Sequence, residues 1–189
     1  MKHVKLPIDI FATRDLTVGE QVAISGSVFT VHGDALRYLY EGNALDVNTS
    51  GSLLYHCAPI GKKRGKKWDL VSASPTATAP EENQLGDVLG RCEFRGVIGR
   101  GALGPRSLAA CKRFNACYFH TVGGAGLSLA NFVTEVREVH LTDQFSGADA
   151  VWELAFENFP AVVTIDAWGR SLHDIVRDVS QRRFVAIQD

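Results

Sequence analysis

The sequence predicts a mixed α/β protein, and three observations carry that reading. β-prone runs and amphipathic helical stripes alternate along one continuous unit. Residues 71–107, VSASPTATAPEENQLGDVLGRCEFRGVIGRGALGPRS, read in order as strand, polar turn, helix, strand, glycine turn and helix. A similar succession returns at residues 116–127, where an apolar run meets Gly123-Gly124-Ala125-Gly126 and then a helical segment. Ligand sites in open α/β sheets lie at the carboxyl ends of strands, so the turns after these strands are where function is expected.

Residues 1–15 are mixed in character and predict an arm or an edge strand. Residues 16–31, LTVGEQVAISGSVFTV, contain two β-prone runs separated by Ser25-Gly26-Ser27. Asp34 is placed to cap a helix carrying Leu36, Leu39 and Tyr40, which ends at Gly42. A turn-rich segment over 43–52 leads to a strand at 53–57, and the glycine- and lysine-rich residues 59–67 read as a loop. Residues 68–73 are β-prone, and 74–80 form a loop of small residues. Pro80 suits a first helical position, where its missing N–H costs nothing. Glu81 and Glu82 then complement the helix dipole. Leu85, Val88 and Leu89 have the i, i+3, i+4 spacing of a buried stripe, closed by Gly90.

Residues 94–98 predict a short buried strand, followed by Gly99-Arg100-Gly101. Pro105 opens a helix with Leu108, Cys111 and Phe114 on one side. Strands follow over 116–122 and 136–141. Residues 151–156 alternate Val151, Glu153 and Ala155 against Trp152, Leu154 and Phe156, a strand with two unlike faces. A further strand over 161–165 turns at 166–169 into a terminal helix over 171–182, with Leu172, Ile175, Val176 and Val179 as its stripe. No repeat, low-complexity tract or linker interrupts the chain, so residues 1–189 read as one domain, with a C-terminal tail over 180–189.

Composition narrows the class. The chain has 189 residues, 46% hydrophobic and 22% charged, enough to bury a self-sufficient core. A net charge of −1 gives no whole-chain attraction to nucleic acid or membrane. No apolar run reaches membrane-spanning length, and MKHVKLPIDIF lacks the apolar segment of a signal peptide. Cys57, Cys92, Cys111 and Cys117 are scattered without C-x-x-C or metal-ligand rhythm, so a cytoplasmic protein with reduced thiols is expected. The stretch Lys62-Lys63-Arg64-Gly65-Lys66-Lys67 leaves three readings open: a solvated loop, a partner contact, or a guide for an anionic substrate. Without interleaved aromatics it does not point to nucleic acid.

The loop Ser74-Pro75-Thr76-Ala77-Thr78-Ala79-Pro80 resembles the Gly-Pro-Thr-Thr-small-Gly-Arg loop of the iron–sulfur hydro-lyase β-type domain. That domain is the β subunit of two-subunit class I fumarases and L(+)-tartrate dehydratases, or the C-terminal half of single-chain versions. The likeness runs from about residue 16 to residue 175 through SGSVFTVHGDALRYL, YHCAPIG, GVIGRG, YFHTVGGAGLSLA and VWELAFENFPAVVTIDAWGRSL. It implies the swivelling β/β/α fold of the fumarase C-terminal/tartrate dehydratase β type. It also implies an α-type partner subunit whose cysteines hold an open-site [4Fe–4S] cluster, the unique iron acting as a Lewis acid on substrate oxygens. The chain itself is then expected to hold no metal, and a dimer of heterodimers is one assembly the resemblance allows.

The resemblance also assigns residues. Thr76 matches the first loop threonine and is implied in proton transfer; a lone threonine hydroxyl is a weak base and would need a carboxylate, expected from the other subunit. The competing reading has Thr76 bonding only loop backbone. Arg100 matches a lysine in the family's Gly-Lys-Gly and is implied in gripping a carboxylate, which a planar guanidinium does bidentately. Ser74 and Thr78 of the same loop, and Arg106 at a helix start, are further substrate-binding candidates; most such arginines are simply solvated. His32 and Pro80 stand where the family has arginines, and Leu36 where it has a histidine. His32 is therefore a second proton-transfer candidate, against an ordinary strand-end histidine. Pro80 reads as helix initiation, with Glu81 adding negative charge beside it. Gly123-Gly124-Ala125-Gly126 fits either an anion cradle or tight strand-to-helix packing.

The function implied is a hydro-lyase β subunit, adding or removing water on a small carboxylic acid together with the cluster-bearing α-type subunit. The altered wall at His32 and Pro80 argues against assuming fumarate or tartrate as substrate. The alternatives are a lyase of changed specificity, or a non-catalytic structural or regulatory module that keeps the fold.

Overall fold

The computed structural model describes residues 1–65 and 67–188; Lys66 of the basic stretch and Asp189 of the expected tail lie outside the described residues. The strands are β1 (Lys2–Lys5), β2 (Gln21–Thr30), β3 (Leu53–Tyr55), β4 (Ile60–Arg64), β5 (Lys67–Ser72), β6 (Gly96–Gly99), β7 (Cys117–His120), β8 (Val133–His140) and β9 (Val151–Ile165). The helices are α1 (Ile10–Arg14), α2 (Gly33–Tyr40), α3 (Glu82–Arg91), α4 (Pro105–Phe114), α5 (Gly126–Ala130) and α6 (Leu172–Gln188). Seven strands form one sheet in the order β1-β2-β3-β6-β7-β9-β8, and β9 also pairs back to β2. Strands β2, β3, β6, β7 and β9 thus close into a ring, with β1 and β8 attached to it. The run from β1 to β7 in this order is parallel, and β9 is antiparallel to β2, β7 and β8.

The period-2 alternation of the central strands builds two cores rather than one. Leu53, Tyr55, Ile98, Cys117 and Phe119 face a cluster with Val22, Ile24, Phe156 and Phe159. Their neighbours Leu54, Val97 and Tyr118 face a second cluster, with Leu36 and Leu39 of α2, Leu85, Val88 and Leu89 of α3, and Cys111 of α4. The predicted stripe on α3 is therefore the contact surface it was expected to be. Each large apolar side chain fully buried here contributes about 1.5–3 kcal/mol relative to exposure.

Several expectations are corrected. Residues 16–31 hold one strand, β2, not two runs: Gly26 takes φ +122° in a bulge, and the Leu6 backbone packs where its Cβ would stand. Residues 151–165 are likewise one strand. Two strands are expected, over 151–156 and 161–165, but Asn158 takes φ 52° where β9 leaves β8 and goes on to pair with β7. Of the residues expected as a loop over 59–67, Ile60–Arg64 form β4 and Lys67 begins β5, a hairpin held down by Trp68, whose ring lies 4.9 Å from that of buried Trp152. Arg64 pairs with Asp69 across this hairpin and Lys63 lies over Trp68.

His32, not Asp34, is the residue before the first turn of α2, because Gly33 at φ +55° already starts the helix. The expected tail from residue 180 continues α6 to Gln188. The stripe on that helix is not buried: Ile175, Val176 and Val179 stay 46%, 56% and 45% exposed. No helix among the described residues is long and apolar enough to cross a membrane.

Candidate active site

Where β3 ends, the chain continues as His56 and Cys57, and the loop 74–78 is laid against this extension. The His56 N–H donates to the Ile98 carbonyl at 2.8 Å, and the His56 carbonyl accepts the Thr76 N–H at 2.9 Å. Cys57 bridges Pro75 on one side of the loop, and Ala77 bridges Arg100 on the other. The loop therefore lies across the carboxyl ends of β3 and β6, the edge where α/β sheets hold ligands.

Thr78 fastens the loop from below. Its side chain is fully buried, and its Oγ1 accepts the Tyr118 hydroxyl at 3.1 Å and the Arg100 N–H at 3.3 Å. Gly99 allows this close approach: a Cβ there would collide with Thr78 Oγ1 and lie 2.7 Å from Tyr118 Oη. Thr78, expected as a substrate contact, is thus a buried brace with its hydroxyl already engaged.

Above Thr78 the half-buried Thr76 points into a chain of three side chains. Thr76 Oγ1 lies 2.8 Å from His56 Nδ1, and His56 Nε2 lies 2.6 Å from Glu81 Oε2. The His56 side chain is 1% exposed, so water does not compete for either ring nitrogen. A carboxylate at Nε2 fixes the tautomer that carries hydrogen there and leaves Nδ1 free to accept the Thr76 hydroxyl. The His56 carbonyl, 3.2 Å away, is the weaker second acceptor for that hydroxyl. The hydrogen bond from His56 holds the Glu81 carboxyl below its ordinary value, aided by the charges of His56 and His32 and the Gly33 N–H, against the opposing effect of burial.

His32 completes the edge of this group. Its ring meets that of His56 edge-on with centroids 6.2 Å apart, and its Nε2 lies 3.4 Å from Asp149 Oδ1. Asp149 also covers Gly33, whose φ of +55° favours glycine, so closely that a Cβ there would have to displace its carboxylate. Two carboxylates, Glu81 and Asp149, thus sit at the N-terminus of α2, where the helix dipole favours negative charge. Glu82 does the same for α4, accepting the N–H groups of Gly104 and Ser107 at 2.9 and 3.0 Å.

The other expected residues divide. Arg100 is exposed, joined through its backbone to the loop and with its side chain along Gly123. Near it the Gly101 N–H faces His120 Nε2, and burial together with the neighbouring His173 lowers the His120 pKa. Ser74 packs on Gly126, whose carbonyl accepts the Ala73 N–H, so the glycine-rich turn serves tight packing beneath a helix of only five residues. Arg106 bonds Asn83 in the α3–α4 groove, apart from the histidines. The first-turn role expected of Pro80 holds only in a 3₁₀ turn over Ala79–Glu81, which swings Glu81 back toward His56. Three residues escaped sequence reasoning: His56, Glu81 as a partner of histidine, and Asp149. A histidine directly after an apolar strand was the signal available for the first.

Among the described residues, no group of three or more His, Cys, Asp or Glu side chains is placed to hold a metal ion. Cys57, Cys111 and Cys117 are buried, and burial raises their thiols, Cys111 to about 12, so none is a ready thiolate.

Comparison with known proteins follows the same lines. A family described as "Fumarase C-terminus" matches residues 2–176. A Geobacillus stearothermophilus protein named "Putative fumarate hydratase class I" is 33% identical over 178 residues, 94% of this chain but 34% of that protein, so the chain spans about a third of that relative's length. The L(+)-tartrate dehydratase subunit beta of Escherichia coli K12 is 28% identical over 173 residues, covering 90% of this chain and 86% of the relative. With the match spanning nearly every described element from β1 into α6, the chain belongs to the fumarase C-terminus family.

Proposed function

We propose that this chain is the β-type component of a hydro-lyase that adds water to, or removes it from, a small carboxylic acid. The observation that carries the proposal is Thr76: a hydroxyl held at the strand ends, hydrogen-bonded to a buried histidine that a carboxylate orients. In this reading Thr76 exchanges a proton with the carbon next to the substrate carboxylate. Arg100, exposed one loop position away, grips that carboxylate. His32 lines the same wall, and Ser74 shapes the loop under it.

The partner is an α-type subunit, in keeping with the subunit naming of the E. coli relative. When bound there, a [4Fe–4S] cluster supplies a Lewis acid for the substrate's hydroxyl and carboxylate oxygens. The raised thiols of this chain are poor cluster ligands, which favours the partner's cysteines as its holders. The exposed stripe of α6, with Val122 and Val162 in the apolar groove beside it, is surface such a partner would cover. The chain is read as one domain of the swivelling β/β/α type, acting in the cytoplasm.

Substrate choice is read from Pro80 and Glu81. Where the resemblance expects an arginine the chain has an exposed proline, and the next residue is an anion bonded to His56. A second carboxylate of a substrate would lose a partner there and meet like charge, so a monocarboxylate suits this wall better than fumarate or tartrate. The test is co-expression with an α-type subunit, iron and sulfide analysis, and assays for hydration of fumarate and for dehydration of L(+)-tartrate and of 2- and 3-hydroxy monocarboxylic acids. Turnover of any of these by the complex supports the reading; assembly of a cluster-loaded complex with none contradicts it.

A further inference from the structure

We propose that Thr76, His56 and Glu81 form a proton relay completed within this chain, so that no carboxylate from a partner is needed to activate Thr76. The threonine hydroxyl is too weak a base alone, and its nearest non-backbone acceptor is His56 Nδ1 at 2.8 Å. The opposite ring nitrogen is held at 2.6 Å by Glu81, whose carboxylate is the natural counter-ion for the imidazolium that forms when Nδ1 gains a proton. The same order of hydroxyl, imidazole and carboxylate activates nucleophilic serines, with the hydroxyl here on Nδ1 rather than Nε2.

The groups facing His56 are few. Glu81 comes from the 3₁₀ turn, Thr76 from the loop, and His32 from the end of β2 with Asp149 behind it. Tyr55 and Cys57, on either side in sequence, are kept neutral by burial. Among the described residues, Glu81 is therefore the anion in contact with the ring.

In the dehydration direction the substrate C–H bond breaks and its proton passes to Thr76 Oγ1, while the Thr76 hydroxyl proton moves to His56 Nδ1. The C–H electron pair becomes the second carbon–carbon bond, and hydroxide leaves with the C–O pair. The Nδ1 proton returns through Thr76 to hydroxide, giving water and resetting the relay. Thr76 is the catalytic residue in this scheme; His56 and Glu81 are positioning residues that act through it. That Thr76 meets a substrate carbon rests on the hydro-lyase reading above, whereas the relay can be tested without it.

Imidazole ¹⁵N NMR of the full chain at about pH 8 reads the relay directly. His56 is expected to carry hydrogen on Nε2 and none on Nδ1, and Thr76→Val should shift the Nδ1 resonance alone. Hydrogen on Nδ1, or an Nδ1 signal indifferent to Thr76→Val, would overturn the relay. In the active complex, Glu81→Gln keeps the shape and an acceptor oxygen but removes the counter-ion. It should lower kcat by at least about 10²-fold with KM nearly unchanged, and move the acid limb of the kcat profile to lower pH. A purely structural Glu81 would leave that limb in place, and this result would also overturn the proposal. If the complex turns over no acid at all, the hydro-lyase reading falls while the NMR result still decides the relay.

Discussion

Glu81 Oε2 lies 2.6 Å from Nε2 of His56, a histidine whose side chain is 1% exposed, so a carboxylate from the turn before α3 orients a buried ring at the end of β3. Its folded-state carboxyl is held below the ordinary value of 4.5. The unfolded chain then binds more protons in the acid range, and stability from this pair is full above the unfolded value and lost as pH falls through the folded one. Between about pH 5 and pH 3, urea midpoints should fall more steeply for the native chain than for Glu81→Gln. Parallel curves would remove Glu81 from the acid response.

Thr76→Val keeps the side-chain shape and the backbone bond to His56 but deletes the hydroxyl. In the complex it should reduce kcat by about 10²–10⁴-fold and leave KM close to native, while Thr76→Ser should recover most of the loss. A KM effect without a kcat effect would assign Thr76 to binding rather than proton transfer.

Arg100→Met should act in the opposite sense. The backbone bonds of Arg100 to Thr78 do not depend on its side chain, so the loop should stay in place. Loss of a charge-assisted hydrogen bond is worth about 1.5–3 kcal/mol, so KM should rise roughly tenfold or more with kcat little changed. Equal KM values in steady-state assays would show that the carboxylate is gripped elsewhere.

Gly99→Ala tests the brace under the loop. A methyl group there meets Tyr118 Oη and Thr78 Oγ1, and relieving the overlap should cost about 1–3 kcal/mol of stability. Thermal unfolding of the variant checks this; an unchanged midpoint would mean that the β6 end yields freely.

Most of the fold was legible because its signals are local. The α3 stripe of Leu85, Val88 and Leu89, the Pro105 start of α4 and the short buried strand before Gly99-Arg100-Gly101 follow from periodicity and turn chemistry. The errors arose where a tertiary partner overrides a local break. Ser25-Gly26-Ser27 reads as a break and residues 157–160 fall between two expected strands, yet the ring of paired strands carries the chain through both. The stripe on α6 was visible as a pattern, but a pattern cannot say whether its cover lies in the same chain. The site was half legible. Thr76, Arg100 and His32 stood out through three separate segments of the family resemblance, whereas the His56–Glu81 contact joins residues 25 apart that come together only when the 3₁₀ turn folds back over β3. Glu81 was read through the helix dipole, a correct local rationale that concealed its partner.

The central claim, that this chain supplies the proton-transferring group of a hydro-lyase, is tested most directly by one comparison. The α-type subunit is reconstituted with cluster, combined with either the native chain or Thr76→Val, and assayed for hydration or dehydration of each candidate acid, with assembly checked by gel filtration. The account predicts turnover with the native chain and a rate at least about 10²-fold lower with the valine variant in an equally assembled, equally iron-loaded complex. Equal rates from the two complexes would contradict it.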